Sequence, residues 1–385
     1  MVHKGKTRRA LVTGGAGLIG SHIADRLIED GWDVRVLDNL ESQTHRSGRP
    51  AWAARYTDFI QADICDRSAV RAALDGVDTI FHEAAYGGYM PEIAKYVWVN
   101  SFGTAQMLEI IRDEKLPVRK VVVASSQAVY MEGAARCQRH GQVFPESRTL
   151  AQMTAGDFAV HCPRCGDVTV PIPTPENAPI GGQNVYAITK VDQERLVLTW
   201  SQQTGIPAVA LRYSCTYGPR QSIFNPYTGV IAIFCTRLLN GQPVILYEDG
   251  NQTRDMVFVD DIARANVLVA GSDALDGRAV NVGSGNGVRV RDIAAAIGEA
   301  VCADIEPIAR GEFRPGEMRH LTSDISQIES IGYKPTVVLG EGIERYLQWI
   351  GSQGDVHDYF AEAQRMLRAK GTLHRVTAAT GGRTA

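Results

Sequence analysis

The sequence has no long apolar run and no excess of charge of either sign. Its 385 residues include 40 Lys and Arg against 43 Asp and Glu, a formal net charge of −3. A near-neutral chain lacks the basic surplus of a nucleic-acid or polybasic membrane binder. No run approaches the roughly 18 apolar residues of a membrane helix. We therefore expect a globular protein with neither nucleic-acid nor membrane partners.

A secretion signal and a disulfide framework are also missing. The basic start of the chain is followed by the short apolar run Ala10–Val12, whereas a secretory signal needs about 7–15 apolar residues. The seven cysteines are an odd number in a long chain, which is not typical of a disulfide-stabilised domain. These two absences predict a cytoplasmic protein.

The first half of the chain alternates apolar runs with helical patterns, which predicts βαβ units and an α/β fold, a Rossmann doubly wound parallel sheet. Strands are predicted at 9–13, 33–37, 78–81, 120–124 and 208–212, and helices at 21–29, 100–112 and 186–201. We assign 1–212 to the domain built on this sheet, 213–350 to a smaller, partly interleaved α+β domain, and 351–385 to a C-terminal tail with a frayed end. Residues 131–182 predict an insertion of loops rather than a sheet unit.

A glycine-rich turn joins the first predicted strand to the first helix. Gly14 permits the tight turn, Gly17 lets a pyrophosphate approach the helix N-terminus, and Gly20 allows close packing of helix on strand. Asp38 ends the second strand, where an acid accepts hydrogen bonds from ribose hydroxyls and repels a 2′-phosphate. The pattern predicts a site for NAD rather than NADP. Its alternative is a glycine-rich loop without function.

Asp63 and Ile64 follow the third strand, where they suit the edge of an adenine ring. The alternative is that Asp63 simply caps the helix predicted at 68–74.

A serine, a tyrosine and a lysine form the predicted catalytic set. Tyr186 and Lys190 are four residues apart and share a helix face, and Ser126 ends a strand at the sheet edge where ligands bind. A nearby ammonium group, together with the positive nicotinamide, favours the phenolate and lowers its pKa toward working pH. Ser126 would bond the same substrate hydroxyl, and Lys190 the nicotinamide ribose. Tyr-x3-Lys also occurs by chance in helices.

Together these motifs make the chain resemble an extended short-chain dehydrogenase/reductase of the NAD-dependent sugar-nucleotide epimerase/dehydratase group, over about residues 8–350. The motifs that carry the resemblance are 13–20, 37–40, 125–130, Tyr186-x3-Lys190, 211–213, 217–221, 254–255 and 314–317. The resemblance implies that Ser126, four residues before Tyr130, is the catalytic hydroxyl.

The resemblance also implies where cofactor and substrate bind. The cofactor residues are Gly14, Gly17, Leu18, Ile19, Gly20, Asp38, Asn39, Asp63, Ile64, Ala84, Ala85, Tyr86, Asn100, Tyr186, Lys190 and Tyr213. The nucleotide-sugar residues are Gly87, Ser126, Gln127, Cys215, Asn225, Arg254 and Arg314.

Some of the substrate residues have a plain structural alternative. Arg254 and Arg314 match positions that bind a diphosphate in the family, a role suited to the planar guanidinium fork. The alternative for each is an exposed surface arginine. For Asn225 the alternative is an ordinary loop residue. Cys215 stands where many epimerases carry an Asn that binds the substrate diphosphate. It therefore departs from the pattern, and is equally well a small buried apolar residue.

The reaction is inferred from what positions 127 and 128 lack. Related 4,6-dehydratases resemble Thr-Asp-Glu where this chain has Ser126-Gln127-Ala128, decarboxylases carry a Glu at Ala128, and the 3,5-epimerase/reductase type places a Cys nearby. Without that acid or thiol, the simplest cycle oxidises a sugar hydroxyl and returns hydride to the opposite face. This predicts a 4-epimerase. A dehydratase or keto-sugar reductase of the same fold, and a non-catalytic Rossmann scaffold or sensor, are the alternatives.

A Cys/His pattern lies between Ser126 and Tyr186. The pairs Cys137/His140 and Cys162/Cys165 each have two intervening residues and a following glycine, spacing typical of a tetrahedral Zn²⁺ site. Four protein ligands leave no open position, so we predict a structural zinc that folds the insertion, next to the active-site edge as a wall or lid. His161 is a rival ligand, a redox Cys-x-x-Cys is an alternative for 162/165, and four unrelated loop residues are the plain alternative.

We also expect a homodimer, because members of the family commonly associate through the helices near 100–112 and 187–201. The apolar residues Val191, Leu196 and Leu198 are compatible with such a contact.

Overall fold

The structure is a computed structural model that describes residues 8–88, 92–225, 229–354 and 356–377. In chain order the strands are β1 (Arg9–Thr13), β2 (Asp33–Asp38), β3 (Asp58–Gln61), β4 (Thr79–His82), β5 (Lys120–Ser126), β6 (Ala134–Cys137), β7 (Gly141–Val143), β8 (Val170–Ile172), β9 (Ala208–Tyr213), β10 (Cys215–Tyr217), β11 (Ile245–Leu246), β12 (Thr253–Phe258), β13 (Ala279–Val282), β14 (Gly287–Arg289), β15 (Ile308–Ala309), β16 (Glu312–Phe313), β17 (His320–Leu321) and β18 (His374–Arg375).

The helices, numbered in the same way, are α1 (Leu18–Glu29), α2 (Arg67–Ala73), α3 (Ile93–Tyr96), α4 (Gly103–Asp113), α5 (Leu150–Thr154), α6 (Val185–Thr204), α7 (Val230–Leu239), α8 (Val259–Ala270), α9 (Val290–Ala300), α10 (Ser326–Glu329), α11 (Leu339–Gly351) and α12 (Phe360–Ala369). Val97–Phe102 forms a π-helix between α3 and α4, and two 3₁₀ turns cover Ala51–Arg55 and Gln127–Val129.

Seven parallel strands form the central sheet, in the order β13-β9-β5-β4-β1-β2-β3. The order reverses beside β1, as in a doubly wound Rossmann fold, so the predicted fold class is confirmed. The strand at the β9 edge, β13, comes from beyond residue 212.

Both faces of the central sheet are covered, which explains why its strands are uninterrupted apolar runs. Val12 and Val36 point to a core shared with α1 and α8, whereas Leu11 and Leu37 point to a core shared with α2 and α4. A third apolar core lies beyond residue 212, between α7, α9, α11 and β12.

A buried ion pair fixes α6 against two strands of the sheet. Glu194, on α6, accepts hydrogen bonds from Arg212 Nη2 (2.6 Å) and Nε (3.0 Å) on β9, and from Ser125 Oγ (2.9 Å) on β5. Arg212 in turn donates to the Tyr130 hydroxyl at 2.8 Å. One carboxylate therefore sets the position of α6 relative to the end of β5.

The insertion, residues 131–182, contains a sheet, so its prediction as loops alone was wrong. Strands β6, β7 and β8 form a small antiparallel sheet in the order β7-β6-β8, and α5 follows β7. Strands this short, interleaved with proline and glycine, are too brief to show a period in the sequence.

Part of the tail is ordered against the rest of the chain. Helix α12 is followed by β18, which pairs antiparallel with β16. The predicted frayed end falls mainly on 378–385, outside the described residues. Among the described helices, none combines the length and apolar character needed to cross a bilayer.

Candidate active site

A cavity of about 640 Å³ opens at the carboxyl edge of the central sheet and extends to the segments beyond residue 212. Every residue predicted to bind cofactor or substrate lines it, with two exceptions, Asp63 and Asn100. Brought together from distant parts of the chain, these residues surround a single space large enough for two ligands side by side.

The glycine turn forms one end of this cavity. Gly14 has φ of +65°, and a Cβ there would lie 2.8 Å from the Ala84 backbone nitrogen; a Cβ on Gly20 would lie 2.3 Å from the Gly14 carbonyl oxygen. Helix α1 begins directly after Gly17, and no side chain caps its N-terminus. An uncapped helix start facing a cavity is a site for phosphate oxygens, so these residues fit a dinucleotide.

Asp38 stands beside the turn at the end of β2. Its carboxylate is buried and accepts hydrogen bonds from the backbone N–H groups of Ala16 (2.9 Å) and Leu40 (2.8 Å). A carboxylate has about four acceptor positions, so two remain for a pair of ribose hydroxyls.

Asp63 and Asn100 are not at the cavity surface. Asp63 accepts from the Asn39 side chain (2.8 Å) and the Cys65 N–H (2.8 Å), and α2 is capped by Asp66 instead, so the capping alternative for Asp63 was wrong. Asn100 bonds the backbone N–H and carbonyl of Tyr86 (2.7 and 3.0 Å). Both residues support a cavity-lining neighbour.

Ser126, Tyr186 and Lys190 meet at the centre of the cavity. Ser126 follows Ser125 at the end of β5, and Tyr186 lies in the first turn of α6, which Asn184 caps through the Ala187 N–H (3.0 Å). Both side chains line the cavity, and Ser126 lies close enough to Tyr186 to influence the pKa of its phenol by hydrogen bonding. Lys190 Nζ donates to the Ala124 carbonyl (2.8 Å) and lies 6.0 Å from the centroid of the Tyr186 ring.

The electrostatics of Tyr186 differ from the sequence-based expectation. Burial raises the pKa of the phenol, and the hydrogen bond with Ser126 offsets this only in part. Burial also lowers the pKa of Lys190 to about 8. The ammonium group faces the Ala124 carbonyl rather than the phenol, so the protein alone does not lower the pKa of Tyr186.

Glu83 is a cavity residue that the sequence reasoning missed. Its carboxylate accepts a hydrogen bond from the Tyr213 hydroxyl (3.0 Å), and burial raises its pKa to about 7. The negative charge of Glu83 raises the pKa of Lys190 and so partly offsets the lowering caused by burial. The sequence feature that could have identified Glu83 is its position as an acidic residue directly after the buried strand β4.

The far end of the cavity carries the residues predicted to bind the substrate. Arg254 extends from β12, and Arg314 pairs with Glu317 at 2.5 Å. Gln127 Nε2 donates to Cys215 Sγ at 3.1 Å, while Gln127 Oε1 is buried without a hydrogen-bond partner. Cys215 is half-buried at the cavity wall, where it accepts this hydrogen bond and also packs against the apolar core beyond residue 212.

Two further predicted contacts border the same space. Asn225 is buried at the cavity wall, and a Cβ on Gly87 would lie 3.7 Å from the Tyr186 ring. Tail residue Phe360, at the start of α12, also lines the cavity, which the assignment of 351–385 as a tail did not anticipate.

The Cys/His pairs converge away from this cavity. The metal-binding atoms of Cys137, His140, Cys162 and Cys165 all lie within 4.8 Å of one another. Cys137 Sγ lies 3.6 Å from His140 Nδ1 and 3.7 Å from Cys165 Sγ, close to the edges of about 3.5–3.8 Å that tetrahedral Zn²⁺ coordination requires.

His161 does not belong to this cluster. Its two ring nitrogens bond Asp157 (2.8 Å) and the Gly166 carbonyl (2.9 Å). Of residues 131–182, all of which the structure describes, none lines the cavity. The insertion is therefore not the wall or lid expected from its position in the sequence.

A doubly wound sheet, a dinucleotide turn at its carboxyl edge and a Ser-Tyr-Lys set in one cavity define an extended short-chain dehydrogenase/reductase. A model of the NAD dependent epimerase/dehydratase family matches residues 10–149 and 163–283, and the chain belongs to this family. The unmatched residues between these two segments lie inside the insertion.

Relatives of the chain include several nucleotide-sugar 4-epimerases. It is 36% identical over 360 residues to the dTDP-L-rhamnose 4-epimerase of Burkholderia thailandensis, covering 90% of this chain and 96% of that protein. The UDP-glucose 4-epimerase of Thermotoga maritima, solved with UDP-glucose, is 29% identical with a TM-score of 0.73, covering 90% and 100%. The Thermus thermophilus UDP-glucose 4-epimerase, solved with NAD, is 29% identical with a TM-score of 0.69, covering 90% and 99%.

Asp38 is expected to set both the affinity for NAD and its preference over NADP. Asp38→Asn removes a charge-assisted acceptor of the ribose hydroxyls and the repulsion of a 2′-phosphate. Calorimetric titration should show NAD affinity falling about 10- to 100-fold and the NAD/NADP ratio falling with it. Asp304→Asn, at an exposed site outside the cavity, is the matched control and should change NAD affinity less than about twofold. Equal effects of the two variants would contradict this account of Asp38.

Proposed function

We propose that the protein is an NAD-dependent nucleotide-sugar 4-epimerase. The observation that carries this proposal is the convergence of Ser126, Tyr186 and Lys190 in the cavity that also contains the dinucleotide turn. The family and the activities of its relatives support the same reaction. Positions 127 and 128 are Gln and Ala, which supply neither the acid pair of an elimination nor a thiol.

Each residue of the set has a separate task in this reaction. Tyr186 accepts the proton of the sugar 4-hydroxyl and later returns it, while Ser126 holds that oxygen in place by a hydrogen bond. The glycine turn and Asp38 would hold NAD, which would supply a hydride acceptor and donor for the sugar carbon. Its positive charge would favour the Tyr186 phenolate that burial disfavours. Between the two transfers the 4-keto sugar must turn so that its opposite face is presented.

We assign the two arginines of the cavity to the substrate diphosphate. Arg254 and Arg314 converge from β12 and from the segment after β16 onto the same wall. A guanidinium fork donates two parallel hydrogen bonds to phosphate oxygens. The nucleotide end of the substrate therefore lies beyond the sugar, away from the dinucleotide turn.

Tyr186→Phe is expected to retain NAD and to lose turnover. The ring still fills its place, but the proton acceptor is gone, a change that costs about 10²–10⁴-fold in rate. The assay is proton NMR of products after incubation with a panel of UDP-, dTDP-, GDP- and CDP-sugars. Tyr333→Phe removes a hydroxyl that bonds the Gly283 carbonyl (2.9 Å) outside the cavity and is the control.

The same panel separates the proposal from other reactions of the family. An epimerase interconverts two isomers of equal mass without net change in NAD. A loss of 18 mass units would indicate a dehydratase, net consumption of NADH a reductase, and NAD binding without any turnover a scaffold. Full activity of Tyr186→Phe would remove Tyr186 from the mechanism.

We further propose that the Cys/His cluster binds a structural zinc ion. The apolar core around it is small, formed by Ala135, Cys137, Val143 and Cys162, so metal coordination would supply much of the stability of the insertion. All four ligands come from the protein, which leaves the ion no open position for catalysis.

Elemental analysis should find one zinc ion per chain in metal-replete protein. Cys162→Ser should lose the metal and increase hydrogen exchange in 131–182, while NAD remains bound because the insertion does not line the cavity. Cys302→Ser, at an exposed cysteine outside the cluster, should keep the metal. Metal-replete protein without zinc would contradict the proposal.

We propose that the chain forms a homodimer in the cytoplasm. Five large apolar residues are exposed on neighbouring helical segments that pack together: Ile93, Val97, Trp98, Phe102 and Ile188. Trp98 and Phe102 stack with ring centroids 4.2 Å apart. Exposed apolar surface of this kind favours association. None of the seven cysteines forms a disulfide, which suits a reducing compartment.

The residues named from sequence for this contact are not the exposed ones. Val191, Leu196 and Leu198 are half-buried and pack against the apolar cores of their own chain. Helix α6 presents Ile188 to solvent instead, with 54% of its surface exposed.

A charge on this surface should separate the subunits. Light scattering after size exclusion should give a dimeric mass for the native protein and a monomeric mass for Trp98→Glu, because a buried, unpaired carboxylate is costly at an apolar interface. Val338→Glu places the same charge on another exposed apolar residue and should remain dimeric. A native protein of monomeric mass would overturn the proposal.

A further inference from the structure

Four charged side chains are buried between the insertion and the second half of the chain. This buried charge cluster consists of Glu132, Arg148, Glu248 and Arg319, whose side chains are between 1% and 9% exposed. Arg148 Nε donates to Glu132 Oε1 (3.1 Å), and Arg148 Nη1 donates to Glu248 Oε1 (2.9 Å). Arg319 Nη1 completes the cluster by donating to Glu248 Oε2 (2.5 Å).

The cluster is costly to form. Burying four charges requires desolvation that the ion pairs repay only in good geometry. Glu248 also has φ of +52°, a left-handed conformation that is unfavourable for a residue with a Cβ. These costs indicate that the cluster fixes a geometry rather than maximises stability.

One branch of the cluster leads to Arg254. The Arg319 carbonyl accepts hydrogen bonds from Arg254 Nη1 (3.1 Å) and from the Thr253 N–H (3.1 Å). Strands β12 and β17 pair directly after this contact, with Thr253 opposite His320. The position of Arg319, and through it the cluster, therefore sets the direction of the Arg254 side chain.

A second branch leads to Arg314. Arg148 Nη2 donates to the backbone carbonyl of Glu317 (2.7 Å), and the carboxylate of Glu317 pairs with Arg314. The Arg314 guanidinium also lies over the ring of Tyr247, 4.8 Å from its centroid, and Tyr247 directly precedes Glu248. Arg148 thus contacts the segments that hold both cavity arginines.

Arg148 reaches these segments from the insertion, which itself contributes no residue to the cavity wall. We propose that Arg148 is a positioning residue for the nucleotide-diphosphate end of the cavity, a role that rests on the proposed function. It connects the fold of the insertion to the direction of Arg254 and Arg314. The order of the insertion and the affinity for a nucleoside diphosphate are therefore thermodynamically linked.

Arg148→Lys tests this link because it keeps the positive charge in the cluster but loses the fork that spans three acceptors. In the NAD-loaded full chain, we expect the dissociation constants of UDP and dTDP to rise about tenfold. The KM for the nucleotide sugar should rise equally, whereas kcat and NAD content change less than about twofold. Arg136→Lys, the same substitution at an exposed site of β6, is the matched control and should leave all five quantities unchanged.

The split between KM and kcat separates positioning from general damage. If Arg148→Lys lowers kcat, NAD content and nucleotide affinity together, the residue is only structural and the proposal is overturned. It is equally overturned if nucleotide affinity and KM remain within twofold of the native values in a folded variant.

A measurement on the native protein applies even where the variant does not fold. Because linkage is reciprocal, UDP should slow hydrogen exchange in residues 131–182, although none of them lines the cavity. Exchange there that is unaffected by saturating UDP would overturn the proposal.

Failure of the proposed activity gives a different result. A native protein that binds UDP with Arg148-dependent affinity but converts no nucleotide sugar would retain the positioning role and lose the epimerase assignment. If the native protein is an active epimerase and Arg148→Lys binds nucleotides with unchanged affinity, the epimerase assignment is retained and the positioning role is lost.

Discussion

The carboxylate of Glu194 is the constraint on which the catalytic geometry depends. It holds helix α6 to β9 through Arg212 and to β5 through Ser125, and these elements carry Tyr186, Lys190 and Ser126. Two charges this deeply buried are tolerated only when both are fully paired. The pairing therefore leaves α6 one well-defined position on the sheet, and the placement of Tyr186 near Ser126 follows from it.

Tyr186 shows why the site needs more than its own side chains. Burial raises the pKa of the phenol, and Lys190 donates to the Ala124 carbonyl instead of compensating directly. Positive charge on a bound dinucleotide is then the contribution that favours the phenolate. A base that becomes effective only beside an oxidised cofactor would act only when hydride can be accepted.

Much of the fold and the cavity follows from the sequence because the signals are local. Continuous apolar strands, the glycine turn and the Tyr186–Lys190 spacing each lie within one element, and the structure brings them together as the sheet topology requires. The orientation of three polar residues was harder to predict: Asp63, Asn100 and Glu83. Such a side chain faces either the cavity or the elements that support it, and tertiary packing decides which. The strands of the insertion pair with one another but are too short to show a period. The buried charge cluster depends on contacts between segments more than 100 residues apart, such as Arg148 with Glu317, and no local period records them.

Glu248 carries an implication for transferring the insertion to another protein. Its buried carboxylate pairs with Arg319 in the second half of the chain and with Arg148 in the insertion. Without the insertion one carboxylate oxygen would lose its partner, and without Glu248 the buried Arg148 would lose one of its acceptors. Grafting the insertion onto a homologous scaffold would therefore require transplanting Glu248 as well.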